Sequence, residues 1–141
     1  MASALVFANL GAAYGTAKAA VGISSLAVID KSKIFQALIP IIMAGILGIY
    51  GVIIAVIAVS IVKNTTNDAS MKEHEGYKFF GAGLACGLSS LAAGLAIGVA
   101  GDAGVRAYAQ TDEIFVGMIL ILIFAEAIGL YGLIVSIIMI F

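Results

Sequence analysis

The chain has 141 residues, 63% of them hydrophobic and 11% charged, against roughly 25% charged in an ordinary soluble domain. A soluble fold this short cannot hide so much apolar surface, which excludes a soluble enzyme, a nucleic-acid binder and a disordered chain. The net charge of −1 offers no basic excess to nucleic acid or anionic lipid. The single cysteine, Cys86, permits neither an internal disulfide nor a cysteine metal site.

Charges punctuate the chain, and the gaps between them are long enough to cross a bilayer, which takes ~20 apolar residues. The first helix is expected over residues 2–29, interrupted by one charge, Lys18, whose stem would snorkel toward one membrane face. It has no basic segment ahead of its apolar part and so does not read as a signal peptide. The second helix, about 34–62, is a run of 29 uncharged residues with Pro40 near its start, where a kink is expected. The third helix, about 76–109, contains an uncharged run over 79–101. The fourth, about 113–141, contains one charge in its last 28 residues, Glu126. Residues 1–62 thus form one helical hairpin, 63–75 a polar loop and 76–141 a second hairpin. Such short connections force antiparallel neighbours and put both termini on one side. Lys and Arg divide four to three between the two sides, too evenly for the positive-inside rule to orient the chain.

The two hairpins are copies of one another. Residues 44–53 align with 125–134 at an offset of 81, with five identities in ten. The first and third helices align more weakly at an offset of 83. Both hairpins run the same way through the membrane, which argues against inverted-repeat transporters. Gly87, Ser90, Gly94, Gly98 and Gly101 share one face of the third helix, and Gly11, Gly15, Ala19 and Gly22 one face of the first. Small faces let helix backbones approach closely in lipid. Two uses fit them: the inner wall of a ring of such chains, or packing within one bundle.

Glu126 lies about 18 Å from one end of its run and about 22 Å from the other, near the bilayer midplane. An ionised carboxylate there costs at least ~2.5–3.5 kcal/mol. It should therefore be protonated while facing lipid and ionise only beside water or a fixed cation, as a proton carrier must. A carboxyl merely bonded inside the bundle is the plainer alternative. Sodium would need several oxygen ligands, yet Gly45, Ile46, Leu47, Leu95, Ala96 and Ile97 at matching depth bring no side-chain oxygen. Tyr131 offers one hydroxyl, and Ser89 and Ser90 are expected at another depth. Asp102 and Arg106, spaced i, i+4, can pair near a membrane boundary; a plain local salt bridge is the favoured reading, and contact with a soluble partner the alternative. His74 stands alone in a polar loop, so no metal site is expected. Cys86 reads as a packing residue. No nucleophile–base set or phosphate loop is present, so the chain is expected to transduce and not to hydrolyse.

Residues 10–18 (LGAAYGTAK), 39–46 (IPIIMAGI), 101–106 (GDAGVR) and 115–134 (FVGMILILIFAEAIGLYGLI) resemble the proteolipid (c) subunits of eukaryotic V-type proton-translocating ATPases. The resemblance implies an all-α membrane protein whose four transmembrane helices, two tandemly duplicated hairpins, assemble into a ring with homologous proteolipid subunits. It implies that Glu126 is the proton-binding carboxyl, and that ATP hydrolysis elsewhere in the complex turns the ring past an a subunit whose arginine helps Glu126 release its proton. Tyr131 and Gly45 become supporting or inhibitor-contact positions. Partners would be that a subunit, central-stalk subunits and membrane lipid, in a vacuolar, endosomal or lysosomal type of membrane. No cofactor is implied. Loops 30–33 and 107–112 would face the cytosol. A single carboxyl in the last of four helices fits the major c form or a close paralogue. Family members extend further ahead of the first helix and carry a short C-terminal tail. The apolar stretch before Lys18 is 17 residues here, so this helix is expected to stop short of the lumenal face. A stand-alone four-helix proton channel or carrier using Glu126 is the alternative reading.

Overall fold

The computed structural model describes residues 2–65 and 73–141, excepting the side chains of residues 64, 65, 73 and 74. The centre of the expected 63–75 loop and the side chain of His74 lie outside the described residues. Helix α1 spans Ala2–Ile29, α2 Ile34–Ala37, α3 Ile39–Thr65, α4 Glu73–Gln110 and α5 Ile114–Ile140, with a 3-10 turn at Lys31–Lys33. Among the described residues, four helical segments are long and apolar enough to cross a membrane, with α2 and α3 serving as one span.

The break between α2 and α3 has a local cause. Pro40 has no N–H to offer and disfavours helical geometry just before it. The helix pauses at Leu38 and restarts so that Pro40 sits in the first turn of α3, where a missing donor costs nothing. Leu38 accepts bonds from the backbone N–H groups of Ile41 and Ile42 at 3.1 and 3.2 Å, which closes the gap. The expected kink is thus a short interruption. At the α1–α2 turn, Asp30 accepts from the Ser32 hydroxyl at 2.7 Å and the Ser32 backbone N–H at 2.9 Å. These two donors, the hydroxyl first, hold the Asp30 carboxyl below the usual carboxylate range.

The small faces predicted on the first and third spans meet each other. Gly11 lies on Ser90 and Leu91, and Gly15 on Gly94 and Gly98. A Cβ added at Gly94 would overlap the backbone of Gly11, and one at Gly11 would lie 2.6 Å from the Ser90 carbonyl oxygen. These are backbone-on-backbone contacts that only glycine admits. Residue 11 faces residue 94, and 15 faces 98, at the offset of the internal repeat. The two halves therefore sit side by side in register.

The second span closes over α1, with Gly51 on Ala4 and Ala8, and Ala44 on Gly15. The α5 helix closes over α4, where the Ser136 hydroxyl bonds the Ala82 carbonyl at 2.6 Å inside the core. The α3 helix also rests on both α4 and α5, whereas no substantial contact joins α1 to α5. With Ala4 beside Gly51, α1 begins about level with Ile54, and α3 runs on to Thr65 beyond it.

Candidate functional site

Glu126 is centred in α5, about 18 Å from Ile114 and about 21 Å from Ile140 along the axis. Its carboxyl is half-buried on the side that faces α3. There the Tyr50 hydroxyl donates to Glu126 Oε1 at 3.0 Å. Tyr50 itself is buried. One turn further along α5, Gly129 is packed by Leu47, Ala93 and the Tyr50 ring. Among the described residues, Tyr50 is the hydrogen-bond partner of the carboxyl, and Leu47 and Ala93 pack one turn further along α5.

Tyr50 was not among the residues singled out from the sequence, although Tyr131, its repeat counterpart, was. Tyr131 is exposed and stands on the same helix as Glu126, five residues further along. Helical side chains lean toward the N-terminus of their own helix. The Tyr50 ring thus reaches back about one turn along α3, to the depth of Gly45, which is the depth of Glu126. A search for a hydroxyl exactly level with the carboxyl passes over it; the repeat combined with this lean would have found it.

The remaining candidates fall in distinct places. Gly45 has open space where a side chain would go. Ser89 packs against Gly132, about 9 Å along the axis from Glu126, so it is off the site's level. Near the other end of α4, Asp102 takes Arg106 Nε at 2.8 Å, the i, i+4 pair expected. It also takes Lys18 Nζ from α1 at 3.4 Å. Lys18 therefore does not simply snorkel outward; it joins the first hairpin to the second, because residue 18 lies level with residue 101 in the repeat register. The two turns at this end are also tied together. Lys33 pairs with Asp112 and lies 5.1 Å from the Tyr108 ring centre. Tyr108 donates to Gln36 and packs on Phe115. Among the described residues, no group of three His, Cys, Asp or Glu side chains could hold a metal.

The profile of the ATP synthase C-subunit family matches this chain over residues 1–58 and again over 80–139, one stretch in each hairpin. The chain belongs to that family. It is similar to the 16 kDa proteolipid (c) subunit of the V-type proton ATPase of Ascaris suum, at 54% identity over 98% of this chain and 84% of the relative. The corresponding 16 kDa proteolipid from Nephrops norvegicus is 54% identical over 96% and 84%. The one from Homo sapiens is 53% identical over 97% and 85%. With four apolar spans, the chain is an integral membrane protein of the V-type proteolipid kind.

Proposed function

We propose that this chain is a proton-translocating rotor subunit of a V-type ATPase and that Glu126 is its proton carrier. The observation that carries the reading is the Tyr50–Glu126 hydrogen bond at mid-span, with Leu47 and Ala93 packed on Gly129 one turn further along. A protonated carboxyl is neutral and can cross the lipid-facing part of a rotation. The Tyr50 hydroxyl donates to one carboxyl oxygen and leaves the other to hold the proton. With one hydroxyl on the carboxyl among the described residues, the site suits a proton better than the several oxygens that sodium requires. At the a subunit, water and a fixed cation would favour the charged form, and the proton leaves.

The two hairpins, residues 1–62 and 76–141, act as adjacent staves of a ring built with homologous proteolipids. The turns at 30–33 and 107–112, joined by Lys33, Asp112, Tyr108 and Gln36, form the cytosolic end that meets the central stalk. Asp102 serves chiefly to hold Lys18 and Arg106, so Arg106, half-exposed, is the better contact for a partner there. The ring works in a vacuolar, endosomal or lysosomal type of membrane. The chain supplies no hydrolytic group; the ATP chemistry belongs to other subunits.

The test is dicyclohexylcarbodiimide labelling of the assembled complex, together with Glu126→Gln. The carboxyl should be labelled at Glu126, and the substitution should abolish ATP-driven acidification of vesicles. Intact acidification in that variant would sink the reading. Acidification by the chain alone, without the complex, would favour the stand-alone carrier.

A further inference from the structure

The second and fourth spans are copies, yet matching positions on them are covered very differently. On α3, Leu47, Tyr50 and Ile54 are 0%, 8% and 1% exposed. Leu47 lies on Gly129 and Tyr50 on Glu126, so the second hairpin does much of the covering. Their counterparts on α5, Ile128, Tyr131 and Val135, are 44%, 65% and 48% exposed. The receiving surface is duplicated too. Glu126 and Gly129, which receive Tyr50 and Leu47, correspond to Gly45 and Gly48. A side chain added at Gly45 would meet nothing within 4 Å, whereas Gly48 is already filled by Asn9.

One edge of the chain therefore carries an unused knob and the other an unused notch. At Tyr131 and Gly45, knob and notch correspond in position to the Tyr50–Glu126 pair between the chain's own hairpins, whereas at Gly48 the place is taken by Asn9. Knob and notch do not meet within one chain, because the contact of α3 with α5 is already made by Tyr50 on Glu126 and Leu47 on Gly129. Such a head-to-tail pairing propagates from copy to copy. Lipid is a poor cover for the knob: Tyr131 is about 7.5 Å along the axis from Glu126, well inside the hydrocarbon, where a phenol hydroxyl needs a polar partner. Bare backbone at Gly45 supplies one, since a helical carbonyl keeps a second lone pair.

We propose that Tyr131 docks into the Gly45 notch of a second copy of this chain, repeating between chains the placement of Tyr50 within one. This rests on the rotor-ring reading and names the residues that join its copies. No carboxyl waits in the notch, so the contact is one of docking and adds no second proton site.

Replacing Tyr131 with photoreactive p-benzoylphenylalanine, which is similar in shape, tests the contact in the assembled membrane complex. Irradiation should link position 131 to residues 42–49 of another copy, seen as dimers on gels and mapped by mass spectrometry. The same probe at position 50 should link within the chain to α5. Adducts only to lipid, or to other segments, in complexes whose rings are intact in micrographs would overturn the docking contact alone. If the unsubstituted protein forms no rings, the rotor reading itself fails. Should the bulky probe block assembly, chains carrying Tyr131→Cys and Gly45→Cys, treated with a short bismaleimide, give the same readout. A ladder of linked oligomers supports the contact, and its absence from intact rings overturns it.

Discussion

The two hairpins arose from one pattern and have been put to different uses. At the same depth, α5 carries Glu126 and α3 carries Gly45, with a tyrosine five residues beyond each. In the second hairpin that position is a carboxyl held by a hydroxyl from the neighbouring hairpin. In the first it is an open notch. The donor and the acid thus come from different copies of the repeat. Duplication allowed one half to keep the charge-bearing chemistry and the other to keep only the shape. Half as many ionisable sites per helix also suits a pump that works against a steep gradient.

Five substitutions would break or sharpen this contrast, and a sixth probes a turn outside it. The largest functional effect belongs to Glu126→Gln, which should remove proton transport entirely while rings still form, as read by vesicle acidification and micrographs. Gly45→Ala, at the matching position, meets nothing of its own chain, so it should leave the folded subunit intact and act only where copies meet, read as fewer intact rings in micrographs. Next comes the seam between the hairpins. Gly94→Leu forces a side chain into the Gly11 backbone and should cost several kcal/mol, beyond the ~1–3 kcal/mol of ordinary overpacking. Little folded protein should then be recovered from membranes, and normal yield of a thermally stable ring would contradict the seam. Smaller is Tyr50→Phe, which removes a hydrogen bond worth about 0.5–1.5 kcal/mol. Carbodiimide should label Glu126 a few-fold faster in that variant, while Tyr131→Phe leaves the rate unchanged. Equal rates in all three proteins would remove Tyr50 from the site. Smallest is Asp30, whose carboxyl is held in its charged form by Ser32. Its contribution should be present at neutral pH and fade as pH falls through the depressed carboxylate range. The melting difference between parent and Asp30→Ala should then shrink on acidification, and a difference that grew would reverse the assignment.

Much of the architecture was legible because a bilayer imposes one simple demand. Long uncharged runs mark spans, so three of the membrane segments emerge from the positions of Lys, Arg, Asp and Glu alone, and the first is read through Lys18. Glu126 stands out for the same reason, as the one carboxyl remote from any helix end. The small faces on α1 and α4 were visible as stripes, but which stripe met which needed the register. That register was present in the repeat offset, and it also accounts for the Lys18–Asp102 pair. Tyr50 escaped notice because a pattern of residues along a chain does not encode the direction in which a side chain leans. The pause at Leu38 was only half visible: Pro40 signals a disturbance, but the exact residue depends on how neighbouring carbonyls find new donors.

The glycine contact between α1 and α4 has a mechanical consequence. Long side chains between helices act as soft springs, because each can change rotamer under load. Where backbone lies directly on backbone, as at Gly11 and Gly94, there is little left to bend. A sideways push delivered to the carboxyl-bearing hairpin should pass to its twin with almost no give, so that a subunit of two hairpins moves as a single rigid tooth.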